Sequence, residues 1–277
     1  MENSMAPSVK LPDTYRLNQQ FSDEFQGTAL DSEKWYDFEP QWHGRKPGYF
    51  DRQNVSVHDG MLHLASRELK PDEVSIENKV RGYDRFSTAF VRSRTRILYG
   101  FFEMRFKAIN SSVSSAFWLN DPLDPPAKYR PGDFCEEIDI FEVFGKTHHD
   151  ADAEKTYFMT LHRFPTPYVE TKVNYIDEKA VCCMPYNGCF HDTFHVGAFL
   201  WTPEKLVWYL DGIPRWEQAN RHYHRPLFVN IDSEIMADWT GIPERGELPG
   251  EFTVDYIRVW QRDGSIPGGI GDSLILG

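Results

Sequence analysis

The sequence predicts an all-β fold, an antiparallel sandwich or barrel. Three observations carry this reading. Runs of β-branched and aromatic residues recur along the chain with polar and apolar positions alternating, Asp-Gly dipeptides stand where hairpins would close, and helical periodicity is scarce. At 277 residues the chain has the length of one large β domain. No Pro/Gly/Ser-rich linker divides it.

Taken in order, NVSVHDGMLHLASR at 54–67 is a hairpin whose Asp59-Gly60 pair suits a turn with positive φ at both central residues. FSTAFVRSRTRI at 86–97 and GFFEMRFKA at 100–108 are the next strand segments, followed by TYFMTLHRF at 156–164 and TFHVGAFLW at 193–201. KLVWYLDGIPRW at 205–216 is a second hairpin, turning at Asp211-Gly212. FTVDYIRVWQR at 252–262 is the last strand. Longer irregular stretches fall at 36–50, 68–84, 121–134, 163–191 and 233–250. Loops of that length in a compact β domain are functional or disordered. Residues 1–14 and 263–277 read as loose ends around a domain at 15–262.

The segment Cys135-Glu-Glu-Ile-Asp-Ile-Phe-Glu-Val-Phe144 has the composition of a buried strand, yet it carries four acids. Strict alternation puts Glu137 and Asp139 on one face and Ile138 and Ile140 on the other. It would then turn Phe141 toward the acids and Glu142 into the core. A carboxylate buried without a partner costs several kcal/mol or takes up a proton. One β-bulge within Ile140-Phe141 resolves the conflict: both apolar side chains turn inward and Glu142 rejoins Glu137 and Asp139. Glu137 and Glu142 then lie on the order of 13 Å apart at Cα. Leaning side chains can close much of that toward the roughly 5–5.5 Å between carboxyl groups that double displacement at a glycosidic bond requires. Like-charge repulsion from Asp139 would keep one neighbour protonated near neutral pH. The alternatives are the polar outer face of an edge strand and a set of Ca²⁺ ligands, which usually come from loops and carbonyls.

The net charge of −12 disfavours nucleic acid as a partner. No apolar run reaches the roughly 18–20 residues of a membrane span. The start MENSMAPSVK shows no secretory signal. Cys135, Cys182, Cys183 and Cys189 lack zinc-site spacing. Cys189 pairs with Cys182 or Cys183 in an oxidising compartment, or the thiols are free.

Glu137-Ile-Asp139-Ile-Phe-Glu142 resembles the bulged E-x-D-x-x-E active-site motif of glycoside hydrolase family 16. The resemblance extends over FSDEF (21–25), GFFEMRFKA, SSAFWL (114–119), FHVGAFLWTPEKLVWYLDG (194–212) and FTVDYIRVW (252–260). It implies a jelly-roll β-sandwich (concanavalin-like) with a concave substrate cleft, and retaining hydrolysis within a β-linked glycan. It assigns Glu137 as nucleophile, Asp139 as assisting acid and Glu142 as acid/base, with no cofactor for catalysis. Trp118 resembles a tryptophan that stacks near the cleavage point; the alternative is a core position. The loop WHGRKPGYFDRQNVSV at 42–57 resembles that of agar- and porphyran-cleaving members. Glu234 and Trp239 fall where agarase-like members place cleft residues.

Porphyran differs from agarose by a sulfate ester, and an arginine fork suits sulfate oxygens. Arg45, three residues after Trp42, is the leading candidate, among Lys46, Arg52, Lys128 and Arg130. Porphyran is therefore favoured narrowly over agarose. Laminarinase or carrageenase activity remains the alternative within the family, and a lectin-like sandwich the alternative outside it. Met usually precedes the last Glu in laminarinases, and Phe141 stands there instead. Hydrolysis and transglycosylation share these residues. His162 and His195 are either sugar contacts or satisfied core histidines, and His148-His149-Asp150 reads as a loop. The resemblance also implies a structural Ca²⁺ held by Glu24, Gly60 and Asp255. A polysaccharide substrate, a monomer and a secreted, periplasmic or cell-surface location complete the expectation.

Overall fold

The computed structural model describes residues 6–121, 134–165 and 178–264. In chain order the strands are β1 (Tyr15–Leu17), β2 (Trp35–Tyr36), β3 (Gly48–Phe50), β4 (Val55–His58), β5 (Met61–Glu68), β6 (Phe86–Thr88), β7 (Phe90–Ser93), β8 (Gly100–Lys107) and β9 (Ser114–Asn120). There follow β10 (Phe134–Phe144), β11 (Thr156–Pro165), β12 (Glu178–Pro185), β13 (His195–Trp201), β14 (Lys205–Leu210), β15 (Ile213–Ala219), β16 (Phe228–Asp232) and β17 (Gly250–Arg262). They form two sheets. The larger runs β15-β14-β13-β8-β17-β5-β6-β3, with β1 beside β17 and β4 beside β5. The other runs β12-β11-β10-β9-β16-β7-β2. Among the described pairings only β3 with β6 is parallel. The expected all-β sandwich is what forms.

The predicted hairpins turn as their residues require. Asp59 and Gly60 have φ of 53° and 72°, and Asp211 and Gly212 have 52° and 73°, positive pairs that match the twist of the flanking strands. Between the sheets, Leu62, Leu64, Met104 and Phe106 on one side meet Leu119, Ile138, Ile140, Phe141 and Val143 on the other, all fully buried. The rings of Phe106 and Phe141 stack with centroids 4.1 Å apart.

The bulge stands where the side-chain pattern placed it. Against β9, Asp139 pairs with Trp118 and the next pair is Phe141 with Phe117, so Ile140 is the extra residue. Ile140 and Phe141 are both wholly buried, and full burial of such a side chain contributes roughly 1.5–3 kcal/mol. The carbonyl of Asp139, at the register break, accepts from Trp208 Nε1 at 3.0 Å, which ties the bulge to β14 of the facing sheet. Gly197 on β13 leaves room for it: a Cβ there would lie 2.6 Å from the Phe141 ring and 2.8 Å from Tyr157 Oη. Gly197→Ala is expected to destabilise by roughly 1–3 kcal/mol through overpacking. A thermal melt reads this as a lower Tm; an unchanged Tm would show that Phe141 does not fix the bulge.

Several stretches differ from expectation. Residues 6–14 are not loose. Val9 and Leu11 pack with Phe101 and Trp260, and the Ser8 amide donates to Glu103 Oε2 at 2.7 Å. Within 68–84 a short helix, Ile76–Arg81, starts at the Ser75 cap and ends at Gly82, φ 83°; six residues give too few turns for periodicity to register. Stretch 163–191 contains β12, and β16 had no strand assignment at all. All four cysteines are free thiols, so no bridge joins Cys189 to Cys182 or Cys183. The tail is described only to Gly264; residues 265–277, like Lys128 and Arg130, lie outside the described residues. No helix among the described residues is long and apolar enough to cross a membrane.

Candidate active site

Strand registers set the site as rows across the smaller sheet. Asp232, Ala116, Glu142 and Phe158 align in one row, and Asn230, Trp118, Asp139 and Thr160 in the next. Phe228, Asn120, Glu137 and His162 form a third. The bulge puts Glu142 into the first row on the face of Glu137 and Asp139, and all three carboxylates line one cavity of about 460 Å³. Trp42, Arg45, Trp118, His162, Glu234 and Trp239 line it as well.

Each of these side chains is held by a neighbour. His162 Nε2 stands 3.3 Å from Asp139 Oδ2 and 3.8 Å from Glu137 Oε1. The Trp118 indole donates to Asp232 Oδ1 at 2.7 Å and meets Phe90 edge-on, so it is a cleft wall and mostly buried at once. Trp239 sits edge-on to Phe144 and Phe158 with centroids 4.9 and 4.7 Å away. Arg45 Nε pairs with Glu234 Oε1 at 3.2 Å, and its side chain remains 53% exposed, open to a ligand. That contact is off the hydrogen-bond line, and Glu234 Oε1 has no hydrogen-bond partner.

Burial and crowding set the protonation of the acids. Glu142 is raised well above its ordinary value, first by desolvation and then by repulsion from Asp139, Glu137 and Asp232, while His162 opposes. Repulsion from Asp139 alone was the expected cause; burial is the larger one. Asp232 rises to about 7, again by burial first, against the Trp118 hydrogen bond and Arg45. Glu234 rises to about 8 by burial, with Arg45 opposing and Asp232 adding to the rise. Burial thus holds protons on acids of the cleft, Glu142 among them, and acid-catalysed bond cleavage needs such a proton.

Of the residues named from sequence, Trp42, Arg45, Lys46, Trp118, Glu137, Asp139, Glu142, His162, Glu234 and Trp239 come together, while Arg52 pairs with Asp37. His195 does not join them. It is 3% exposed in the larger sheet, a core histidine with Nδ1 3.0 Å from Asp211 Oδ2 and Nε2 buried without a hydrogen-bond partner. The calcium set does not fit as drawn. Glu24 binds Arg258 through both oxygens, at 2.7 and 2.9 Å, and Asp255 binds Arg105, so both carboxylates are already neutralised by arginines. Asp232 went unnamed, although Val229-Asn230-Ile231-Asp232 alternates apolar and polar and announces its face.

Carboxylates aligned on a bulged strand, at the floor of a cleft with tryptophan walls, define a glycoside hydrolase. Residues 15–262 match the family described as Beta-porphyranase A-D, GH16 domain, and the chain belongs to that family. It is 35% identical to β-porphyranase E of Zobellia galactanivorans over 253 residues, 88% of this chain and 86% of the relative. With β-porphyranase B of the same organism it shares 27% over 263 residues, covering 89% and 85%. The crystal structure of porphyranase B superposes with a TM-score of 0.77 at 25% identity, over 92% of this chain and 98% of that one.

Proposed function

We propose that the protein is an endo-acting, retaining hydrolase of the β-1,4 galactosidic bonds of a red-algal galactan, porphyran before agarose. Glu142 gives its proton to the leaving oxygen as a Glu137 oxygen attacks the anomeric carbon. Water, deprotonated by Glu142, then releases the sugar from Glu137. Asp139 supports the charge balance between them, and His162 stands close enough to orient both Asp139 and Glu137. Substrate is held by the aromatic walls at Trp42, Trp118 and Trp239. A polymer substrate puts the work outside the cytoplasm.

The observation that carries the substrate assignment is Arg45, a half-exposed guanidinium that lines the cleft with Lys46, is braced by Glu234 and lies 5.8 Å from the Trp42 ring. That is a cation positioned for a sulfate ester on a sugar stacked at Trp42. The names of the β-porphyranase relatives support it. Digestion of porphyran, agarose, κ-carrageenan, laminarin and mixed-linkage glucan, with products resolved by size, tests the reading: oligosaccharides are expected from porphyran first. Arg45→Ala is expected to lower kcat/KM on porphyran by about 10–100-fold, the effect of a lost charge-assisted hydrogen bond, and to change agarose cleavage little. Equal losses on both polymers would remove sulfate from the argument.

A further inference from the structure

On the outer face of the larger sheet, away from the cleft, three metal-ligating side chains converge. On β4 and β5, Val57, Leu62 and Leu64 turn into the core, so His58 and His63 take the outer face. On β17 the flanking Phe252 is core, which sends Glu251 outward. Registers pair β5 with both neighbours: His63 stands opposite Ser56 on β4 and Thr253 on β17. The imidazoles of His58 and His63 stack with centroids 3.8 Å apart and planes 8° from parallel. His63 Nδ1 is 2.9 Å from Glu251 Oε2, and His58 Nδ1 is 3.1 Å from Asp59 Oδ2.

We propose that His58, His63 and Glu251 form a binding site for a divalent transition ion of the zinc type. One donor atom from each residue lies within 4.8 Å of the others. Tetrahedral zinc, with bonds of about 2.0–2.2 Å to nitrogen and oxygen, sets its ligands roughly 3.3 Å apart, so a small closure assembles the site. Two imidazoles and one carboxylate suit zinc, copper or nickel; calcium takes oxygen ligands. His63 is 7% exposed and already directs Nδ1 at Glu251, so two of the three ligands are set and His58 completes them. Stacked rings direct their lone pairs side by side, so the half-exposed His58 ring turns out of the stack on binding and Asp59 follows as an outer partner. The ion would clamp the β4–β5 hairpin to β17.

Other three-donor groups are weaker. Glu137, Asp139 and His162 belong to the cleft. Glu247, near His148, already accepts from Ser111 and Ser112. The group Cys189, His191 and Asp192 lies within one loop.

The test is calorimetric titration of chelator-stripped protein with Zn²⁺, and with Ca²⁺ in parallel, alongside thermal melts. The wild type is expected to bind Zn²⁺ in preference to Ca²⁺ with a rise in Tm. His58→Gln, at a position half-exposed and cheap to change, should weaken that event by about tenfold or more and abolish the Tm rise, while its metal-free Tm stays at the wild-type value. His63→Gln should do the same to Zn²⁺ binding. Zn²⁺ affinity unchanged in His58→Gln, or no Tm rise in the wild type, overturns the site.

Discussion

Glu142→Gln is expected to lower kcat/KM by about 10²–10⁴-fold, the range that general acid–base catalysis supplies, with the fold intact. The amide keeps the shape of the side chain and the buried position, but it has no proton to give the leaving oxygen. Glu137→Gln removes the attacking oxygen and should leave no measurable turnover. Circular dichroism and Tm separate these losses from unfolding. The two variants also differ in kind. A leaving group that departs without protonation should recover the first step in Glu142→Gln, whereas nothing about the leaving group can help Glu137→Gln. Near-wild-type activity in either variant would remove that residue from its role.

The second large effect is on stability, and its sign follows from burial. The pKa of Glu234 is raised from its ordinary 4.5 to about 8 in the folded chain. A raised carboxyl binds its proton more tightly folded than unfolded, so its favourable contribution is complete below about pH 4.5 and is lost as pH rises through about 8. Stability should therefore decline across that window. Glu234→Gln, uncharged at every pH, should raise Tm relative to wild type at pH 8.5 by the equivalent of at least about 1 kcal/mol, since each tenfold change in proton affinity corresponds to about 1.36 kcal/mol. At pH 4 the two proteins should melt alike. The Arg45 partner is half in solvent and tolerates the loss. Equal melting at pH 8.5 would mean that Arg45 fully offsets the burial of the carboxylate.

Much of this site was legible because a charged residue cannot go quietly into a core. Glu142 could satisfy that constraint only through a bulge at Ile140-Phe141, and that is where Ile140 stands unpaired. The Asp-Gly hairpins were legible because few residues accept positive φ at both central turn positions. What alternation could not supply was the role of burial in holding protons. Glu142, Asp232 and Glu234 are raised first by desolvation, which depends on how the sheet and its loops close over them. Nor could sequence foresee that Glu24 and Asp255, which the family resemblance implied as calcium ligands, would meet Arg258 and Arg105 instead. Those arginines stand in strands whose pairing had to be known. His195 and His162 carry the same side chain in similar strand segments, and only the sheet each strand enters decides that one is core and the other cleft.

The central claim is that Glu137 and Glu142, on one face of a bulged strand, carry out double displacement. The most direct measurement is proton NMR of a porphyran digest in its first minutes, before the released reducing ends mutarotate. The account predicts that the new reducing ends appear as the β-anomer and only later drift to equilibrium. Release of the α-anomer would mean single displacement by water, and retention of the polymer without cleavage would mean a binding protein; either result contradicts it.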